Sequence, residues 1–166
     1  MQELHIDIED DRWQQEDIET LAETAATTTL IHLALDPAAC ELSLLACDDA
    51  RIATLNADFR DKPQPTNVLS WPAAELQAAQ PGAMPNAAQK GPDGTIELGD
   101  IAISYDTCAR EAAEQGKPLS AHATHLIVHV ILHLLGYDHI READGDLMEA
   151  TEVELLGKMG LDDPYS

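Results

Sequence analysis

The stretch HVILHLLGYDH at 129–139 constrains this chain more than any other feature. Apolar residues surround His129 and His133, so the segment reads as a buried helix carrying two imidazoles. Four residues at 3.6 per turn set the two rings about 40° apart, on one face, where both can grip one cation. Gly136 then offers a left-handed turn that ends the helix and brings His139 back toward the pair. Burying three titratable rings without partners is costly, and a shared metal ion offsets that cost. Three nitrogen ligands, His129, His133 and His139, leave one coordination position open. That is the layout of a catalytic zinc site, because structural sites close all four positions.

His125 and His122 extend the same helix face four and seven residues before His129. His125 is expected beside the ligands or along the cleft and His122 exposed, neither of them a ligand. Asp138 either orients a ligand or caps the turn. Water on a zinc ion with an open position ionises near a pKa of about 7, which supports hydrolysis. The metzincin proteases carry a similar H-E-x2-H-x2-G-x2-H pattern. Where they place the glutamate that shuttles the proton, this chain has Val130, and peptide hydrolysis by that route is disfavoured.

The 166 residues, 45% hydrophobic and 24% charged, read as one globular domain spanning 1–166. Nine Lys and Arg against 31 Asp and Glu give a net charge of −22, which excludes a general basic footprint for nucleic acid. Contact with RNA must then come through a local basic spot, a metal or a third partner. Anionic membranes are disfavoured for the same reason. The start, MQELHIDIED, has neither the basic nor the apolar region of a secretory signal. The longest mostly apolar run, 126–135, is too short to span a bilayer. Cys40, Cys47 and Cys108 form no CxxC pair and are expected reduced, so the compartment reads as cytoplasm.

Alternation at Leu4, Ile6 and Ile8 predicts a strand. Helical spacing follows over 18–33, weakened near its end by three threonines, and then a short strand over 42–46. Asp48 caps a helix running through Phe59, the prolines of 62–66 make a loop, and a strand over 68–71 stops at Pro72. The segment 73–94 turns to Ala, Gln, Pro and Gly and is expected to be a mobile surface loop, with a possible helical turn at 74–79; a substrate lid is the alternative. A strand over 96–104 kinks at Gly99, and a helix over 106–115 stops at Gly116. Ser120 caps the helix that Gly136 ends, and Asp144 caps the last helix, with Leu147, Met148, Thr151, Leu155 and Met159 on one stripe. This order predicts an α+β fold: a small mixed sheet of about four strands packed with about five helices, the site on a central helix and the turn after it.

Together the segments LNADFR (55–60), PTNVLSWP (65–72), LGDIAIS (98–104), HLIVHVILHLLGYDH (125–139) and READGDLMEATEVELL (141–156) resemble the YbeY family of bacterial metal-dependent endoribonucleases, also called rRNA maturation factors. The resemblance implies hydrolysis of single-stranded RNA, with a part in 16S rRNA 3′-end maturation and ribosome quality control. It places one zinc on His129, His133 and His139 and a functionally important arginine at Arg60. Ribosomal RNA and the ribosome or its assembly factors become the implied partners, with neither DNA nor membrane. Two departures stand out: the family usually has glycine where this chain has Val130, and 73–94 is longer than expected.

Arg60 draws notice on chemistry alone, as one of nine cations and two residues ahead of Lys62. A guanidinium near a metal binds a phosphate bidentately and stabilises charge developing on it. Thr66, Asn67 and Ser70 are expected to hold the loop and strand. A chain of charge −22 repels phosphate at long range, so a local positive cleft of zinc, Arg60 and Lys62, or docking on the ribosome, must carry RNA binding. Two other readings stay open: an assembly factor whose zinc is structural, and a metalloprotease-like hydrolase of another substrate.

Overall fold

The computed structural model describes residues 3–165. Four strands, β1 (Glu3–Ile8), β2 (Cys40–Cys47), β3 (Val68–Pro72) and β4 (Ile96–Ser104), form one sheet in the order β1-β2-β4-β3. β1, β2 and β4 run parallel, and β3 pairs antiparallel at the far edge. The helices are α1 (Arg12–Gln15), α2 (Ile18–His32), α3 (Asp49–Arg60), α4 (Tyr105–Gln115), α5 (Leu119–Leu134) and α6 (Glu142–Lys158), with a 3-10 turn at Pro37–Ala39. The α+β architecture is the expected one.

Burial explains why these segments adopt these forms. β1 alternates exposed and half-buried residues as an edge strand does, whereas β2, one strand further in, is mostly buried. α5 is apolar nearly all round and lies at the centre, against α2, α4, α6 and β3. One stripe of it carries His122, His125, His129 and His133, and Ser120 and Thr124 lie on the opposite side near its start. A smaller cluster of Cys47, Ile52, Leu69 and Ala102 holds α3 against the other face of the sheet. The threonines near the end of α2 do not break it, because Thr29 is buried and its hydroxyl donates to the Ala25 carbonyl at 2.7 Å.

Several boundaries differ from expectation. α1 has too few residues to show a period; it forms around the fully buried Trp13, whose indole donates to the Cys47 carbonyl at 3.0 Å. Asp48 caps α3 as expected, accepting from the Arg51 amide. Ser120 is not a cap, since α5 begins at Leu119. Asp144 also lies inside its helix, because α6 begins at Glu142. No helical turn forms at 74–79.

The segment 73–94 has no regular structure, yet Arg141 and the first turn of α6 tie it at three points. Arg141 donates to the Ala78 and Ala79 carbonyls at 2.6 and 3.2 Å, and the buried Asp144 carboxylate accepts from the Gly82 amide at 2.8 Å. Arg141 and Asp144 are themselves ion-paired.

Gly99 sits where the β2–β4 register slips, Glu41 pairing with Glu97 and Leu42 with Gly99. Its φ of +136° disfavours a side chain, and an added Cβ would lie 2.2 Å from the Trp71 carbonyl oxygen. The bulge lets β3 approach there, and β3 forms one wall of the cleft described next. Gly99→Ala is therefore expected to lose about 3 kcal/mol or more of stability, read from urea denaturation. A loss below about 1 kcal/mol would show that the strand end relaxes freely.

Candidate metal centre

The histidine stripe of α5 forms one wall of a cavity of about 400 Å³, which His139 completes from beyond the turn. Arg60, Lys62 and residues 66–70 around β3 line the same cavity. All three motif histidines and Arg60 thus reach one cleft.

Local backbone geometry explains how the motif folds. α5 ends in a Schellman turn: the Gly136 amide donates to the His133 carbonyl and the Tyr137 amide to the Leu132 carbonyl. Gly136 adopts φ +100°, and a Cβ there would meet the Leu76 carbonyl oxygen at 2.5 Å. Asp138 caps the next turn, accepting from the His139 amide at 2.7 Å and the Ile140 amide at 3.3 Å. Of the two roles open to it in sequence, the cap is the one it fills.

Hydrogen bonding fixes the tautomers of two rings. His133 Nδ1 lies 3.2 Å from the Tyr137 carbonyl, which can only accept, so Nδ1 holds the proton and Nε2 keeps a lone pair. His129 Nδ1 lies 2.5 Å from Oε1 of Glu152, a fully buried residue of α6. Burial pushes the Glu152 pKa up, but hydrogen bonds from His125, His129 and Tyr165 outweigh it and hold it at about 2. The carboxylate is ionised and accepts, so His129 also presents Nε2. His139 lies with its ring centre 5.8 Å from that of His129.

The tightest grouping differs from the motif. Among the described residues, His125, His129 and Glu152 bring one donor atom each within 4.8 Å of one another, a group able to hold a metal ion. The motif trio lines the same cavity without being gathered so closely. Glu152 lies outside the spacing of the histidine motif; like Asp144 it is a carboxylate buried on α6, and it sits between Met148 and Leu155.

His122 is buried rather than exposed. Its Nε2 pairs with Glu111 at 3.0 Å, and Glu111 accepts from the Asn67 side chain at 3.1 Å. Asn67 in turn accepts from the Val68 amide at 2.7 Å, so this chain of bonds anchors the start of β3. Arg60, the last residue of α3, donates to the Ser70 carbonyl at 2.9 Å. Phe59 packs edge-on against Trp71, pinning the same helix end to the same strand. Val130 is core.

Residues 4–160 match the family model described as Endoribonuclease YbeY. This chain belongs to that family. It is 56% identical over 163 residues to the Endoribonuclease YbeY of Ruegeria pomeroyi, covering 98% of each chain. It is 57% identical over 162 residues to that of Paracoccus denitrificans, covering 98% of this chain and 89% of the relative. The solution structure of TM1509 from Thermotoga maritima superposes with a TM-score of 0.56 at 18% identity, over 98% of this chain and 99% of that one, a likeness of fold. Relatives in the YbeY family are named as endoribonucleases, hydrolases that cut RNA. Among the described residues no helix is long and apolar enough to cross a membrane.

Proposed function

We propose that this YbeY-family chain is a zinc-dependent endoribonuclease of the cytoplasm that hydrolyses single-stranded RNA, acting on ribosomal RNA in 16S 3′-end maturation and ribosome quality control. The observation that carries this reading is the shared cleft, which the three motif histidines line together with Arg60 and Lys62. The donor set suits zinc, because neutral imidazoles are good zinc ligands and two of the three rings already commit their protons elsewhere. His129, His133 and His139 would hold the ion. When bound, zinc supplies a Lewis acid for a phosphoryl oxygen and lowers the pKa of water.

The chain's own residues do the rest. Arg60 has one N–H committed to Ser70, and its remaining donors can fork onto a phosphate and stabilise charge growing there. Lys62 adds a second cation to the same cleft. Against a net charge of −22, these local cations hold a phosphate only at short range. RNA is therefore presented by the ribosome or its assembly factors rather than captured from solution. In this reading the chain is one domain, with 73–94 a mobile surface loop held at the points where Arg141 and Asp144 tie it.

A second ligand set deserves weighing because His125, His129 and Glu152 lie closer together. Their contacts already hold protons. His129 donates to Glu152 Oε1, the Tyr165 hydroxyl donates to Glu152 Oε2, and His125 Nε2 lies 3.3 Å from that hydroxyl and 3.4 Å from Oε1. A group satisfied by its own hydrogen bonds gains less from an ion than lone pairs held open do. We therefore assign the motif trio.

Purified protein with a defined 16S 3′-end RNA tests the function. Cleavage is expected, lost with a chelator and restored by added zinc. Equal cleavage with and without the chelator would refute the metal's role.

A further inference from the structure

Glu152 is a fully buried carboxylate at the metal centre, and both of its oxygens are engaged. Oε1 takes the proton of His129 Nδ1 at 2.5 Å and lies 3.4 Å from His125 Nε2. Oε2 takes the hydroxyl proton of Tyr165 at 2.5 Å. Tyr165 comes from beyond α6, where Gly160 turns the chain at φ +77° and Leu161 packs on the core. Its ring stands edge-on to His125, with centres 5.6 Å apart, and it lines the cleft. A chain therefore runs from the C-terminal segment through a carboxylate to a ligand imidazole.

From this arrangement we propose that Glu152 and Tyr165 are positioning residues for the metal centre: Glu152 fixes His129 as the Nδ1–H tautomer with Nε2 free, and Tyr165 holds Glu152 in place. The proposal rests on His129 being a ligand. A buried carboxylate could turn either oxygen toward His129 or swing away from it. The Tyr165 hydroxyl removes that freedom by occupying Oε2. Without Glu152, no partner among the described residues holds His129 Nδ1, and the imidazole can protonate at Nε2 instead, which blocks the lone pair the metal needs. Outer partners of this kind are typically worth about 10–100-fold in metal affinity.

Two readouts separate this from simple support of the fold. In metal-free wild type, nitrogen NMR of the imidazoles is expected to show His129 protonated at Nδ1; Glu152→Ala is expected to shift it toward Nε2. Zinc affinity, from competition with a chromogenic chelator well below the melting temperature, is expected to fall about 10–100-fold in Glu152→Ala. Glu152→Gln, which keeps an acceptor for Nδ1–H, should recover part of that loss. Tyr165→Phe keeps the ring and removes the hydroxyl at a partly exposed site, so it should fold normally while affinity falls by up to about tenfold. Wild-type affinity in both Glu152→Ala and Tyr165→Phe, or an Nε2–H tautomer in wild type, would overturn the proposal. If the Glu152 variants fail to fold, Tyr165→Phe decides alone. If wild type binds no zinc yet shows the Nδ1–H tautomer, the metal reading fails and only the hydrogen-bonded pair survives.

Discussion

His133→Ala is expected to strip most of the zinc from the protein and abolish RNA cleavage, while His125→Ala keeps near-stoichiometric zinc. Structural zinc sites bind with about 10–16 kcal/mol over four ligands. One imidazole is therefore worth on the order of 3 kcal/mol, or about a hundredfold in Kd. His125 differs because its Nε2 already faces the Tyr165 hydroxyl and the Glu152 carboxylate, 3.3 and 3.4 Å away. Metal content by plasma mass spectrometry after gel filtration reads both variants. The reverse pattern, with His125→Ala empty and His133→Ala loaded, would transfer the metal to His125, His129 and Glu152. His122→Ala is a poor control despite its distance along the helix, because it breaks the buried pair with Glu111 that leads to β3.

The fold was legible where one face of a segment meets the core and the other meets water. β1, α3 and the kinked β4 all announce themselves by period and by cap or glycine. α5 was legible for a different reason: its apolar residues run nearly all round, and its four histidines fall on one stripe. What stayed hidden depends on contacts between segments distant in sequence. Asp144 reads as a cap because acids favour helix starts, and nothing local says that Gly82 donates to it across 62 residues. Trp13 makes a four-residue helix only because a cavity beside β2 and Tyr105 receives its ring.

The site divides in the same way. Spacing along one helix exposed His129 and His133, and Gly136 announced the turn that brings His139 back. Glu152 and Tyr165 approach from α6 and beyond it, so no spacing within the motif could reveal them. A carboxylate inside an apolar stripe was the available signal, since such a group is buried only when something satisfies it. His122 misled for the opposite reason: its partner Glu111 lies on another helix.

Arg60→Ala is expected to leave zinc content intact, shift the melting temperature little, and slow RNA cleavage by about 10²–10³, the usual loss for one charged contact to a transition state. The side chain is exposed and among the described residues makes a single hydrogen bond, to the Ser70 carbonyl, so little stability is at stake. The same bond ties the guanidinium to β3 in the cleft that the histidines also line, and the Phe59–Trp71 contact fixes the helix end that carries it. Arg60→Lys should restore only part of the rate, because an ammonium supplies charge without the planar fork that grips two phosphate oxygens. Single-turnover cleavage, zinc content and thermal melts measured on one preparation separate the possibilities. Wild-type cleavage by Arg60→Ala would make Arg60 a surface residue. Lost zinc or an early melt would assign it to the fold. A slow enzyme that keeps its metal and its melting temperature places the guanidinium on the phosphate, in the cleft that the three histidines line.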